Sequence, residues 1–375
     1  MRLITSLLIA AAFALALFVK STGSLYLYSW LSLFYIACGM LLFTGRHQLD
    51  PGAFTKLLIA WGVVVVMSAF LFRVTINGAS PAVGAMLTLP VVYALSLMRP
   101  DRKEIILSHV VTVGTLLFAL AVYTCLQWFG GVSNPHWPLS NPNNLAAMMA
   151  VGLIVSVGVI HRTKYALITA GVFALAMVAT GSRGAILACV IALLFVVNKN
   201  NWFRLTALVA GIFLAAVIVD NKGGLDSLFY SADVRLGIWA VALRAIESNP
   251  LMGTGLGSFP IIQHLYMPGE IVLERGMMVH NDMMQFALEM GIPAMLIFYS
   301  LCLVALVKTN QKAMIPFAVL FVVILHTHVS LNMYIPAIQV LIAIAVGYWM
   351  CQVREEKYRL PDYPEDNPHY VLGEK

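Results

Sequence analysis

Residues 105–129 read IILSHVVTVGTLLFALAVYTCLQWF, twenty-five positions without one Asp, Glu, Lys or Arg. A hydrocarbon core of about 30 Å takes roughly 17–25 apolar residues per helix, so this stretch predicts one membrane-spanning helix. A helix is also the form in which a single segment satisfies its own backbone polar groups away from water. The same criterion, applied outward along the chain, gives twelve candidate spans: 3–19, 24–43, 57–72, 80–98, 105–129, 144–160, 164–180, 184–198, 202–219, 283–306, 313–331 and 334–353. The whole chain agrees. It is 61% hydrophobic and 11% charged, with a mean hydropathy of +0.87. A soluble domain carries about 25% charged residues, so a soluble enzyme, a disordered chain and a disulfide-stapled secreted domain are all excluded. The expectation is an all-α polytopic integral membrane protein with about twelve transmembrane helices.

Charge gives the orientation. The first apolar run follows Arg2 and carries Ala14-Leu15-Ala16, the shape of a signal peptide, but it reads here as a retained helix. With the N-terminus inside, sixteen of the 23 Lys and Arg fall on the cytoplasmic side and seven on the other. The positive-inside rule then places both termini in the cytoplasm. It also explains the net charge of +6 without nucleic acid. The one long external segment is 220–282. The expected organisation is a membrane domain over 1–353 with that loop inserted, followed by a charged, Pro-containing disordered tail over 354–375.

The polar residues that sit out of place mark the candidate chemistry. The five Cys lie in or beside apolar runs and read as packing residues, with neither a disulfide framework nor a zinc site. No D-x-D pair occurs, and acids are scarce within the spans, so a divalent-metal glycosyltransferase and a proton-coupled transporter are both disfavoured. Gly181-Ser182-Arg183-Gly184 interrupts an apolar stretch and leaves an isolated arginine at the membrane surface. In the long loop, Leu236, Trp239, Leu243 and Ile246 predict one apolar face of a surface helix over 233–248, with Asp233 as N-cap and Asn249-Pro250 as the stop. That places Arg235 near a helix start, where phosphate is favoured. Gly253-Thr254-Gly255-Leu256-Gly257 follows no strand, so it is not a dinucleotide fingerprint. Asn281 or Asp282 then caps the tenth span, and Asp282, Gln285 and Glu289 share one face, a polar stripe that must meet protein or water. His280 stands at its mouth as a candidate proton acceptor. His326 and His328 point to different faces, so they share no metal, and His326 is a candidate to line the same cavity.

Three of these motifs together resemble a known family. Thr180-Gly-Ser-Arg-Gly, then Arg235-Leu-Gly-Ile-Trp with Asn249-Pro-Leu-Met-Gly-Thr-Gly-Leu-Gly-Ser-Phe, then Val279-His-Asn-Asp with Glu289-Met-Gly-Ile-Pro are similar to the elements of the O-antigen ligase and polymerase superfamily. They occur in the family order over roughly 140–345. The resemblance implies a bacterial inner-membrane glycosyltransferase with a periplasmic active site. Its donor is a glycan on undecaprenyl diphosphate, and it uses no metal and no other cofactor. The acceptor is lipid A–core in the ligases, another repeat unit in the polymerases, and a protein hydroxyl in the related protein O-oligosaccharyltransferases. The family's functional positions fall on Arg183, Arg235 and His280, the two arginines toward the diphosphate and the histidine as base. Asn281, Asp282, Gln285, Glu289 and His326 are the expected substrate-binding neighbours. A lipid-linked glycan transporter is the alternative from another class, and the gathering of polar groups at one face disfavours it.

Overall fold

A computed structural model describes residues 2–22, 33–34, 36–37, 39–42, 52–71, 79–98, 102–196, 224–267 and 278–357. Among the described residues the chain is helical and contains no strand. The helices are α1 (Arg2–Thr22), α2 (Ala53–Leu71), α3 (Ala79–Leu97), α4 (Lys103–Phe129), α5 (Pro142–Gly158), α6 (Tyr165–Thr180), α7 (Arg183–Val196), α8 (Gly224–Ser248), the single turn α9 (Phe259–Ile262), α10 (Asp282–Met290), α11 (Ile292–Lys308), α12 (Met314–Thr327) and α13 (Pro336–Lys357). Three stretches, Ala53–Phe70, Lys103–Phe129 and Pro336–Val353, are long and apolar enough to cross a membrane by length and composition, and seven shorter apolar helices accompany them. Of the expected spans, 202–219 and most of 24–43 lie outside the described residues, as does the tail beyond 357. Helix α13 continues four residues past the expected span end at 353.

Local signals set the ends. Asn141 accepts from the Asn143 N–H at 2.8 Å and caps α5, with Pro142 in the first turn, where its missing N–H costs nothing. Helix α6 ends at Gly181 in the left-handed conformation, φ 65°, and Ser182 accepts from the Ala185 N–H to open α7. The tight turn expected around Arg183 is therefore two helix ends separated by two residues, Gly181 and Ser182.

The packing is that of a membrane bundle, small residues at close crossings and polar residues as ties. Helix α5 is apolar all round and almost wholly buried against α6, α7 and α12. Helix α13 runs through the middle, against α1, α3 and α12. At the end of the bundle holding the starts of α1 and α4, the Tyr93 hydroxyl meets His109 Nδ1 at 2.6 Å, and His109 Nε2 meets Thr5 at 3.1 Å. Ser6 and Ser108 pair at 2.7 Å. These bonds join α1, α3 and α4.

Helix α7 approaches the end of α12 so closely that only glycine fits at 184. A Cβ there would lie 2.9 Å from Val329 Cγ2 and 3.5 Å from His326 Cδ2. Gly184→Val is expected to cost about 1–3 kcal/mol by overpacking. A thermal-unfolding midpoint in detergent equal to the wild type's would show that α7 can withdraw freely.

Two expectations are corrected here. The single span 283–306 is two helices, α10 and α11, broken at Gly291. The break is held open by the 249–255 loop. Thr254 N–H donates to Leu288 O at 2.8 Å, Gly255 N–H to Glu289 O at 2.9 Å, and Ile292 N–H to Pro250 O at 2.8 Å. Backbone groups freed by the break are thus paired within the protein, as a low-dielectric setting requires. Gly291 has φ 88°, and a Cβ on it would collide with Leu251 O.

The second correction concerns the loop helix. It begins at Gly224, not at Asp233, so Asp233 is no N-cap and Arg235 lies eleven residues inside the helix. It ends at Ser248, as expected from the Asn249-Pro250 stop. Its buried face is Ile238, Val241, Ala242, Ala245 and Ile246, packed on Val279, Ala287 and Leu288. Leu236 and Leu243 face outward. Of the four residues of the expected face, Ile246 and Trp239 therefore lie on the covered side, and the covered face is rotated from the expected one toward Ile238, Val241 and Ala245.

Candidate active site

The turn between α6 and α7, the middle of α8, the segment before α10 and the loop after α12 meet at one end of the bundle. Arg183 is the first residue of α7 and is half-buried. Its Nη1 is buried and has no hydrogen-bond partner among the described residues. Arg235 is also half-buried. Burial, and then the nearby positive charge of Arg183, pull its pKa below the usual arginine value. The two guanidiniums are therefore close enough to repel. Among the described residues neither is ion-paired. Two cations held together this way make a site for an anion.

His280 sits between Val279 and the start of α10 and is half-buried. It is one of two non-glycine residues with positive φ among those described, at 56°. Such a conformation persists only where the surroundings fix it. The fixing groups are on both sides of Val279. Its N–H donates to Gln285 Oε1 at 3.0 Å, and its carbonyl accepts from Trp239 Nε1 at 3.0 Å. Trp239 lies one helical turn beyond Arg235, on the same face of α8. One helix thus carries both the cation and the clamp on the histidine segment.

The other expected site residues are buried and turned toward the protein. Asn281 is the N-cap of α10, its Oδ1 accepting from Met283 N–H at 3.0 Å and Met284 N–H at 3.2 Å. Asp282 Oδ2 accepts from the backbone of Asn332 at 2.8 Å and Met333 at 3.0 Å, and so ties the loop after α12 to the start of α10. Glu289 accepts from Gln285, from the Tyr334 hydroxyl at 2.8 Å, and from the backbone N–H groups of Gly257 and Phe259. The polar stripe of α10 therefore faces protein, and the glycine loop wraps the carboxylate of Glu289. His326 Nδ1 lies 3.1 Å from Asn332 Nδ2, while the Nε2 edge of its ring faces Gly184, beside Arg183. The charge of Arg235 also reaches it. His326 thus joins the two arginines, and His328 turns away to Tyr299.

Residues 168–299 match the O-antigen ligase family model. The resemblance read in the motifs is shown over that segment. The O-antigen ligase segment runs from α6 into α11, about a third of the chain, and contains Arg183, Arg235, Trp239 and the whole of α10. His326 at the end of α12, and Asn332 and Tyr334 in the loop after it, lie beyond that segment. The match indicates an enzyme of the O-antigen ligase and polymerase type in a membrane, acting on lipid-linked glycan, and it does not separate the two branches. No curated protein matches the chain.

Three contributors are not evident from their sequence context. Trp239 reads as one more apolar residue of a helix face, and its indole N–H is the informative part. Asn332 and Tyr334 fall at the junction of two apolar runs, where a short polar sequence looks like any loop. Trp239→Phe keeps the ring and loses the bond to Val279. The expected result is a turnover number about 10–100-fold lower, since small misplacements of a reacting group cost that much. The donor KM should stay near the wild-type value, because the arginine pair remains. An unchanged turnover number would remove Trp239 as a positioning residue.

Proposed function

We propose that the protein transfers a glycan from undecaprenyl diphosphate to an acceptor sugar hydroxyl on lipid A–core, at the periplasmic face of the bacterial inner membrane. The observation that carries this reading is the arginine pair, two half-buried cations within range of each other, one with a buried nitrogen that has no partner among the described residues. A diphosphate is the leaving group that such a pair suits. As the bond between the anomeric carbon and the diphosphate oxygen breaks, its electron pair goes to the diphosphate. Arg183 and Arg235 stabilise that charge. His280 accepts the proton of the acceptor hydroxyl as its oxygen bonds to the anomeric carbon. Attack from the face opposite the leaving group inverts that carbon. Asn281, Asp282, Gln285 and Glu289 act on this reaction by holding the site walls, and His326 lines the space beside the arginines.

Ligation to lipid A–core is preferred over joining of repeat units because the sequence provides a single long external loop, 220–282. The deciding experiment is the lipopolysaccharide banding of a strain lacking this gene. Loss of the ladder with accumulation of full-length lipid-linked polymer is the expected result. A single repeat still reaching the core would make the protein a polymerase, and an unchanged pattern would move the acceptor elsewhere, for example to protein. Product formed in detergent from purified donor and acceptor would separate an enzyme from a transporter.

A further inference from the structure

Asn332, in the loop after α12, is fully buried. Its backbone N–H donates to Asp282 Oδ2 at 2.8 Å, so α10 fixes its place. Its Nδ2 lies 3.3 Å from the Val323 carbonyl and 3.1 Å from His326 Nδ1. A carbonyl only accepts, so the Val323 contact decides which end of the amide is the nitrogen. The reversed amide would set oxygen against oxygen there. One N–H goes to Val323 and the other to His326 Nδ1. The amide oxygen, 3.3 Å from the same Nδ1, is the more distant partner. Nδ1 is therefore an acceptor. In a neutral imidazole the proton then sits on Nε2.

That proton has no taker within the protein. The His326 ring is 1% exposed, and no described residue bonds its Nε2. A Cβ on residue 184 would lie 3.6 Å from Nε2, and glycine keeps that space clear. The next residue back is Arg183, whose Nη1 is also without a partner among the described residues. The charge of Arg235 reaches the ring as well. Unmet buried donors favour a ligand that brings acceptors. A third cation would add to the repulsion between the two arginines. A neutral imidazole stabilises developing negative charge without adding to it. With Nδ1 occupied and Nε2 protonated, the ring cannot take up the acceptor's proton.

We propose that His326 is a third donor to the diphosphate, a neutral imidazole that holds its Nε2 proton toward a diphosphate oxygen and keeps it throughout the reaction. Asn332 is the positioning residue that sets this tautomer, and Asp282 places Asn332. The inference rests on the transfer reading above. As the bond from the anomeric carbon breaks, its electron pair goes to the diphosphate, and the hydrogen bond from Nε2 strengthens with that charge. The acceptor's proton still goes to His280.

The first test uses the full chain in detergent with ¹⁵N-labelled histidine, His326→Gln assigning the His326 signals among the nine histidines. The expected spectrum has the proton on Nε2. Inorganic pyrophosphate, added until the spectrum stops changing, should shift Nε2 more than Nδ1. A proton on Nδ1, or an Nε2 signal that pyrophosphate leaves in place, overturns the proposal. The second test is transfer from purified lipid-linked donor. His326→Phe keeps a ring and loses the donor. Its turnover number is expected to fall about 10–100-fold, the range of one hydrogen bond to a charged group, with a smaller change in donor KM. His326→Gln returns an N–H near the Nε2 position and should recover most of the rate. A role in packing alone would favour the ring, so a phenylalanine variant faster than the glutamine variant overturns the proposal. Should His326→Phe fail to fold, the wild-type spectrum decides. Product formed at the wild-type rate by His326→Phe removes the donor and leaves the transfer reading intact. A pyrophosphate shift without any product from purified donor and acceptor ends the transfer reading and leaves His326 as a diphosphate-binding group.

Discussion

Replacing Arg183 or Arg235 by alanine is expected to lower the rate of glycan transfer by about 10²–10³-fold each, the usual cost of removing one preorganised donor to developing charge. Each guanidinium is half-buried, and burial already works against the cation at Arg235. An anionic leaving group relieves that tension, and more so as its charge grows. The loss should therefore fall chiefly on the turnover number, with a smaller rise in donor KM. Arg183→Lys keeps the charge and loses the planar fork, so partial activity is expected. If both side chains act on one diphosphate, the double variant loses less than the product of the single losses, because the sites are coupled. The check is the initial rate with purified lipid-linked donor, alongside the amount of folded protein in the membrane. Full activity in either alanine variant removes that arginine from the scheme.

The largest stability effect is expected at Glu289. Its carboxylate is buried and gathers four donors, Gln285 Nε2, the Tyr334 hydroxyl and the backbone N–H groups of Gly257 and Phe259. Glu289→Ala leaves these donors without their acceptor. Each costs about 1–3 kcal/mol when buried and unmet, so a loss of at least ~3 kcal/mol is expected even after local relaxation. The damage should reach the site, because Gln285 also holds Val279 beside His280. Glu289→Gln retains one acceptor oxygen and should recover part of the loss. Denaturant titration of the purified protein measures both variants. An alanine variant within about 0.5 kcal/mol of the wild type would show that water or neighbouring groups replace the carboxylate at no cost.

Residue types and spacing carried much of this protein. A run such as 105–129 admits only a helix in a hydrocarbon setting, because its backbone has nowhere else to bond. Gly181-Ser182-Arg183 encoded a helix end and a helix start, since glycine tolerates the left-handed cap and serine accepts the first free N–H. Asn281 as cap and the shared face of Asp282, Gln285 and Glu289 were also legible, because a helix period fixes neighbours at three and four residues.

Other features rested on contacts between distant segments. The spacing of Leu236, Trp239, Leu243 and Ile246 predicts a face of which Trp239 and Ile246 are covered and Leu236 and Leu243 are not, and the position of α10 sets that rotation. The break at Gly291 depends on a loop some forty residues earlier, which supplies the partners that a broken helix needs. The polar stripe of α10 looked open to substrate, yet its acceptors are taken by Asn332, Met333 and Tyr334, fifty residues on. Sequence alone determined the class of fold and the side chains able to meet a diphosphate. The tertiary structure decided which of them stay exposed to a ligand and which are consumed in holding the site, because a buried acceptor goes to whichever donor the packing brings within reach.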